Sequence, residues 1–174
     1  AGLAMVPACT HQDLPPGIDD PVVIAARAPK AISGGTMLIT SKGLAVAADS
    51  DRDLVWLVDL NTSSAKQVTL EVDDEPGRVV EDADGRIHVA LRGGGAIATI
   101  DLASATVVDR TEVCASPRGV AFDAKSDAIH VACAGGELVT LPAAGGAPSR
   151  VLRLDRDLRD VIVSGDQLFV SRFK

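Results

Sequence analysis

The stretch GRIHVAL at residues 85–91 is echoed 42 positions later by DAIHVAC at residues 127–133. Two further copies of the pattern stand at residues 43–48, GLAVAA, and at residues 166–171, DQLFVS. The interval between copies stays between 39 and 43 residues. A fixed interval of this length indicates a chain built from repeats of one structural unit, each of which covers its neighbour.

Each copy lies within a larger unit of four short apolar runs separated by turn-forming residues. In the second unit we expect strands at residues 78–81, 86–91, 96–101 and 106–111. The runs alternate apolar and polar residues, and no stretch keeps the 3.6-residue period of a helix. Four strands in a repeat of about 40 residues are typical of a β-propeller blade. The sequence therefore predicts an all-β propeller.

The number of repeats predicts an incomplete wheel of about three and a half four-stranded antiparallel blades. We expect the blades at about residues 31–75, 76–116 and 117–157, with an incomplete fourth at 158–174. A closed propeller needs about 4 to 8 blades. We therefore expect the remaining propeller blades to lie outside this chain.

The repeats resemble the YVTN and NHL-type propeller repeats of exported bacterial proteins. The resemblance rests on LVWLVDL at 54–60, which is similar to the V-x-V-I-D strand of those repeats, and on EPG at 75–77 and SPRGV at 116–120. It covers about residues 31–174. It implies an extracytoplasmic propeller but does not select a function, because such repeats occur in enzymes, binding modules and redox partners alike.

Charge argues against nucleic-acid binding, and the lengths of the apolar runs argue against a membrane-spanning helix. The formal net charge is −7, which argues against nucleic acid, since phosphate binding needs clustered Lys and Arg. The apolar runs are far shorter than the roughly 20 residues of a membrane-spanning helix. Aromatic residues make up only 2% of the chain, so the predicted core consists of Val, Leu, Ile and Ala.

Residues 1–30 differ from the repeats and lead into them. VPAC at residues 6–9 resembles a bacterial lipobox, in which Cys9 would carry the lipid, although Pro7 departs from that pattern and a basic n-region is absent. The alternative is an unstructured apolar leader with an incidental cysteine. The lipoprotein interpretation predicts a signal-peptide tail, a membrane tether through Cys9, and a location in the periplasm or at the outer membrane. The prolines between residues 13 and 30 predict an extended segment.

The two remaining cysteines, Cys114 and Cys133, lie in the repeat region. In an exported protein an even pair is a candidate disulfide. Two buried or isolated thiols are the alternative. Metal ligation is disfavoured because no second nearby Cys or His gives the spacing of a structural zinc site.

Two pairs of residues are candidates for facing a ligand. His88 and His130 occupy the same position in the second strand of successive blades, and their alternative role is that of hydrogen-bonded structural histidines. Arg156 and Arg159 belong to the charged run at residues 155–160, where bridging between blades or a solvated loop is the alternative.

Two motifs are interpreted as turns. RGGGAIA at 92–98 formally fits the dinucleotide fingerprint, but that motif requires a helix start and a strand is predicted to follow. The alternating aspartates at 49–53 and the DADG at 82–85 lack the twelfth-position acidic ligand of a calcium loop, so we expect hairpin turns there.

The sequence predicts a noncatalytic binding or scaffolding module that holds a protein or small-molecule ligand on a blade rim. It contains no G-x-S-x-G nucleophile motif and no C-x-x-C-H haem motif. We assign no catalytic, metal-ligating or cofactor-binding residue. The alternatives are the propeller half of a periplasmic c-type-haem electron-transfer protein and part of a lactonase- or lyase-like propeller enzyme.

Overall fold

A computed structural model describes residues 35–173, and within that range every regular element is a β-strand. The strands pair antiparallel in three four-stranded sheets and one two-stranded sheet, each made of strands that are consecutive in sequence. In chain order they are β1 (Met37–Ile39), β2 (Leu44–Asp49), β3 (Leu54–Asp59), β4 (Ser64–Thr69), β5 (Pro76–Glu81), β6 (Ile87–Leu91), β7 (Ala96–Asp101), β8 (Thr106–Glu112), β9 (Pro117–Asp123), β10 (Ala128–Cys133), β11 (Glu137–Pro142), β12 (Arg150–Arg153), β13 (Leu158–Ser164) and β14 (Gln167–Arg172).

The sheets are the blades of an incomplete propeller, which confirms the predicted fold. Strands β1 to β4 form blade 1, β5 to β8 form blade 2, and β9 to β12 form blade 3, while β13 and β14 form a two-stranded blade 4. Within the described range no helix is long and apolar enough to cross a membrane. The predicted leader, residues 1–30, and the lipidation candidate Cys9 lie outside the described residues.

Left-handed backbone at one turn position explains why Gly or Asp opens each of the first three copies of the repeat. Gly43 and Gly85 precede the second strands of blades 1 and 2 with φ of 80° and 78°, and Asp127 precedes that of blade 3 with φ of 50°. Glycine adopts this conformation without steric cost, and Asp is one of the few other residues that tolerate it. The conformation of this turn is therefore determined by the residue at the turn itself.

Successive blades pack face to face through apolar clusters. One cluster joins blades 1 and 2, a second joins blades 2 and 3, and a third joins blades 3 and 4. Blades 2 and 3 are covered on both faces, so every residue of β6 and β10 is buried. Each cluster has members from both of the blades that it joins: Val46 and Val89 in the first, Ile97 and Val131 in the second, and Leu138 and Val161 in the third.

The first strand of each blade lies at the centre of the wheel. Strands β1, β5, β9 and β13 contact one another in that order, whereas the outer strands β4, β8 and β12 are largely exposed. Antiparallel order places the loops between second and third strands, and the loops between blades, at one end, which we call the upper rim. These loops are residues 50–53, 70–75, 92–95, 113–116, 134–136 and 154–157.

The glycine-rich stretch forms a turn of the upper rim. Residues 92–95 connect β6 to β7 without a helix, which confirms the predicted glycine turn. A Cβ on Gly93 would lie 2.1 Å from the carbonyl oxygen of Asp73, so the turn packs directly on the loop that enters blade 2. Asp53 holds the same loop by accepting hydrogen bonds from the amides of Asp73 and Glu75 at 3.0 and 2.8 Å.

A disulfide joins Cys114 to Cys133, so of the alternatives left open by the sequence the structure forms the bonded pair. Cys114 lies in the loop between blades 2 and 3, and Cys133 ends β10 and is fully buried. The bond therefore fastens the crossing between two blades to the second strand of blade 3.

Candidate functional site

His88 and His130 lie at equivalent positions of their blades, and each stands opposite a threonine. His88 on β6 pairs in register with Thr99 on β7, and His130 on β10 pairs with Thr140 on β11. Each histidine lies on the sheet face that packs on the following blade, because side chains alternate along a strand. The predicted equivalence of the two histidines is therefore present in the tertiary structure.

In blade 2 the histidine is the centre of a buried Asp–His–Thr unit. The Nε2 atom of His88 lies 2.8 Å from Oδ2 of Asp82, and its Nδ1 lies 3.1 Å from Oγ1 of Thr99. An ionised carboxylate only accepts, so Nε2 carries the proton and the threonine hydroxyl donates to Nδ1. Asp82 also accepts from Nε of Arg86 at 2.8 Å. Both ring nitrogens are thus engaged within the blade, as expected of a structural histidine.

Blade 3 repeats the unit in a looser form. Nδ1 of His130 lies 3.1 Å from Oγ1 of Thr140, but its Nε2 lies 3.9 Å from Oδ2 of Asp123. The carboxylate of Asp123 instead accepts from the hydroxyl of Ser126 at 2.6 Å. His130 also lines a shallow cleft against blade 4 beside Leu168. No motif marks these units in the sequence, although their Asp and Thr members recur 41 residues apart.

The structure predicts a pH dependence of stability from the two histidines. Burial lowers the pKa of His88 and of His130 below the ordinary 6.5, against the opposing effect of Asp82 and Asp123. Their stabilising contribution is complete above pH 6.5 and is lost as pH falls towards the lower folded-state pKa values, because the unfolded chain takes up protons first. We expect the urea midpoint to fall between pH 7.5 and pH 5.5.

The matched control for this titration is the double variant His88→Gln, His130→Gln. It should lose much less stability over the same interval, although it is less stable at pH 7.5. Burial tends to raise the pKa of Asp82, but hydrogen bonds from His88 and Arg86 outweigh burial and lower it. In the unfolded chain Asp82 has the ordinary pKa of 3.8, which lies below the interval from pH 7.5 to pH 5.5, so Asp82 does not contribute to the expected loss of stability. Equal losses in the two proteins would contradict the linkage.

The inner strands carry a second constellation, at their upper-rim ends, where the pairing register slips. In β9, Arg118 is the extra, unpaired residue between Pro117 and Gly119. In β13, Arg159 is the extra, unpaired residue between Leu158 and Asp160. In β5 the irregular step lies just after Pro76, where Gly77 and Arg78 follow. Bulges bend a strand and re-aim a side chain, and they are enriched beside functional sites.

Three successive blades therefore bring an arginine to one end of the propeller axis. We call Arg78, Arg118 and Arg159 the axial arginines. Arg78 reaches furthest, because its Nη2 lies 2.7 Å from Oδ2 of Asp160 and so joins blade 2 to blade 4. The ion pair spans Gly119 of the intervening blade, whose Cβ, if present, would lie 2.6 Å from the Cα atom of Asp160.

Arg159 is held at the edge of this constellation. Its Nη2 lies 2.8 Å from Oδ1 of Asp157, and its guanidinium carbon lies 5.5 Å from the ring centroid of Phe173. The side chain remains 45% exposed. Arg156, the other arginine predicted to face a ligand, is exposed at the tip of the loop and makes no ion pair with residues 35–173. The ligand-facing role of both stays a prediction.

Arg118 differs from its two neighbours. Its Nε atom is buried and has no hydrogen-bond partner among the described residues, while the residue as a whole is partly exposed. A buried donor left without a partner costs roughly 1–3 kcal/mol. Sequence reasoning missed Arg78 and Arg118, because nothing local marks a bulge; the available signal was the pair of prolines, Pro76 and Pro117, 41 residues apart.

Acidic side chains of the described range do not assemble into a metal site. No group of three or more His, Cys, Asp or Glu side chains that could hold a metal ion occurs within residues 35–173. Asp49 accepts hydrogen bonds from Arg52 at 3.0 Å and from the indole of Trp56 at 3.4 Å. Asp49 and Asp53 of that turn therefore act as hydrogen-bond acceptors.

Comparison with solved structures identifies the fold of the chain. Virginiamycin B lyase from Staphylococcus aureus superposes with a TM-score of 0.67 at 14% identity, over 78% of this chain and 47% of the lyase. A catalytically inactive form of that lyase with quinupristin gives a TM-score of 0.70 at 12% identity, over 83% and 51%. Kuenenia stuttgartiensis hydrazine synthase gives 0.69 at 18% identity, over 83% and 43%.

These likenesses concern the fold alone, because the identities are low. The chain spans about half the length of the solved chains that it matches. No protein-family model and no curated protein sequence matches it.

Proposed function

We propose that this chain is a noncatalytic binding module of an extracytoplasmic propeller protein with YVTN/NHL-type repeats. It holds a protein or small-molecule ligand on its upper rim, at the axial arginines. The observation that carries this proposal is the repeated bulge, which places an arginine at the upper-rim end of three successive inner strands. The repeat-related histidines are engaged in hydrogen bonds inside their blades.

One further feature supports the proposed extracytoplasmic setting. The disulfide between Cys114 and Cys133 suits an oxidising compartment such as the periplasm. Lipid modification of Cys9 would tether the module to a membrane, and further blades outside this chain would close the wheel against blades 1 and 4. The proposed module itself needs no cofactor.

A lyase-like propeller enzyme is the second candidate. The observation in its favour is the structural likeness to virginiamycin B lyase. In that case the upper rim of this chain would supply one part of an active site. Incubation with quinupristin, followed by reversed-phase chromatography, separates the two candidates: we expect an unchanged retention time, and a shifted peak would favour the enzyme.

Binding at the upper rim is tested by NMR on the full ¹⁵N-labelled chain. The probes are a library of small carboxylic acids, amides, sugars and aromatic compounds. We expect amide shifts to cluster at residues 113–119 and 154–160, because these segments surround the axial arginines. Shifts confined to the opposite rim, at residues 102–105 and 124–127, or no binder in the whole library, would overturn the proposal.

A further inference from the structure

We infer that the axial arginines form a carboxylate-binding site in which Arg118 is the principal ligand-binding residue. The inference rests on the proposed binding function and names the chemical class of its ligand. The supporting observation is that the three guanidinium groups differ in whether they have a carboxylate partner. Arg78 and Arg159 each have a carboxylate partner, Asp160 and Asp157, whereas Arg118 has none among the described residues.

An anion can recruit Arg118 without breaking an existing ion pair. Recruiting Arg78 would break the 2.7 Å contact with Asp160 that joins blade 2 to blade 4, and recruiting Arg159 would break its 2.8 Å contact with Asp157. Charge-assisted hydrogen bonds to a guanidinium are among the strong ones, and a planar carboxylate matches its fork of donors. Arg118 is therefore the residue of the cluster that gains most from a ligand.

The surrounding charge favours a ligand with a single negative charge. Two of the three axial guanidinium charges are already matched by Asp157 and Asp160, so one positive charge remains unmatched. A phosphate dianion would add a second negative charge close to both carboxylates, where like charges repel. A carboxylate supplies one negative charge and two acceptor oxygens.

The position of Arg118 suits recognition at the axis. It is the bulged residue of the middle one of three neighbouring inner strands, so its neighbours on both sides also carry an axial arginine. The bulge frees the side chain from the alternation that would otherwise commit it to a blade interface. The ligand's carboxylate would thus lie at the mouth of the axis, with its remaining part facing the upper-rim loops.

Benzoate and benzamide form a matched pair of probes, since they share a shape and differ in charge. In ¹⁵N spectra of the full chain, we expect benzoate to shift the side-chain Nε–H resonance of Arg118 and benzamide to leave it in place. Arg118→Gln should weaken benzoate binding by roughly tenfold or more, the range expected when a charge-assisted hydrogen bond is lost. Arg153→Gln, on an exposed outer strand, is the control and should bind as the parent does.

The outcomes separate this inference from the proposed function. Equal binding of benzamide at the same loops would overturn the carboxylate assignment and leave the binding module standing. Inorganic phosphate binding more tightly than benzoate would also overturn it. Unchanged benzoate affinity in Arg118→Gln, with a folded spectrum, would remove Arg118 from the site. No shift of the Arg118 resonance by either probe would overturn the inference as a whole.

Discussion

Replacing Asp74 by alanine is expected to lower the free energy of unfolding by about 3 kcal/mol, the cost of breaking a buried ion pair on one side. Asp74 is 1% exposed and accepts two hydrogen bonds from Arg110, at 2.9 and 2.8 Å. The amide of Glu71 donates to the same carboxylate at 2.9 Å. Without the carboxylate, the amide of Glu71 loses its partner and the guanidinium keeps only a longer contact, 3.8 Å from its Nη2 to Oε2 of Glu71. Hydrogen bonding to Asp74 raises the pKa of Arg110, so the arginine stays charged.

The glycine turn of residues 92–95 packs closely on the carboxylate of Asp74. A Cβ on Gly94 would lie 2.1 Å from Oδ1 of Asp74, which shows how closely the glycine turn covers it. Urea unfolding measures the effect. The matched control is Asp166→Ala, because Asp166 and its partner Lys125 are 77% and 72% exposed and such pairs contribute little. Equal midpoints for the two variants would contradict the prediction.

Gly119→Ala is expected to lower the free energy of unfolding by about 3 kcal/mol, the upper end of the usual cost of overpacking. It is also expected to loosen blade 4. The added Cβ would lie 2.6 Å from Cα of Asp160 and 2.7 Å from the amide nitrogen of Val161. Both are backbone atoms, so relief requires β13 to move away from β9. That movement would also stretch the ion pair between Arg78 and Asp160.

Gly77→Ala is the matched control, since Gly77 lies in the equivalent part of β5. Its added Cβ would meet the side chain of Arg92 at 3.2 Å, and a flexible side chain can yield. We expect Gly77→Ala to stay close to the parent in urea midpoint. Hydrogen exchange supplies a local readout: amides of β13 and β14 should exchange faster in Gly119→Ala alone. Similar exchange in both variants would count against a specific clash at Gly119.

Most of the strand pattern could be predicted from the sequence because it is local. The four strands expected in the second unit, at 78–81, 86–91, 96–101 and 106–111, match β5 to β8 to within two residues at each end. Alternation of apolar residues and the residues that adopt turns are properties of neighbours in the chain. The largest difference, the start of β5 at Pro76, falls at the bulge, and register slips arise only when two strands pair.

The candidate site was only half visible in the sequence. The equivalence of His88 and His130 followed from the repeat, and their Asp and Thr partners recur with nearly the same interval. The difference between the two units did not follow: the distance from Nε2 to the aspartate is 2.8 Å in blade 2 and 3.9 Å in blade 3. That difference depends on how side chains near each aspartate compete for its carboxylate.

By itself, the sequence determined the all-β repeat, its turns and the place of each strand within a blade, because all of these depend on residues close together in the chain. Only the tertiary structure decided that Arg78 meets Asp160, 82 residues away, and that Gly119 leaves room between them. Positions 78, 119 and 160 are equivalent in three repeats, yet their residues differ and no local pattern links them. The stacking of inner strands around an axis brings them together, and stacking is a property of whole blades.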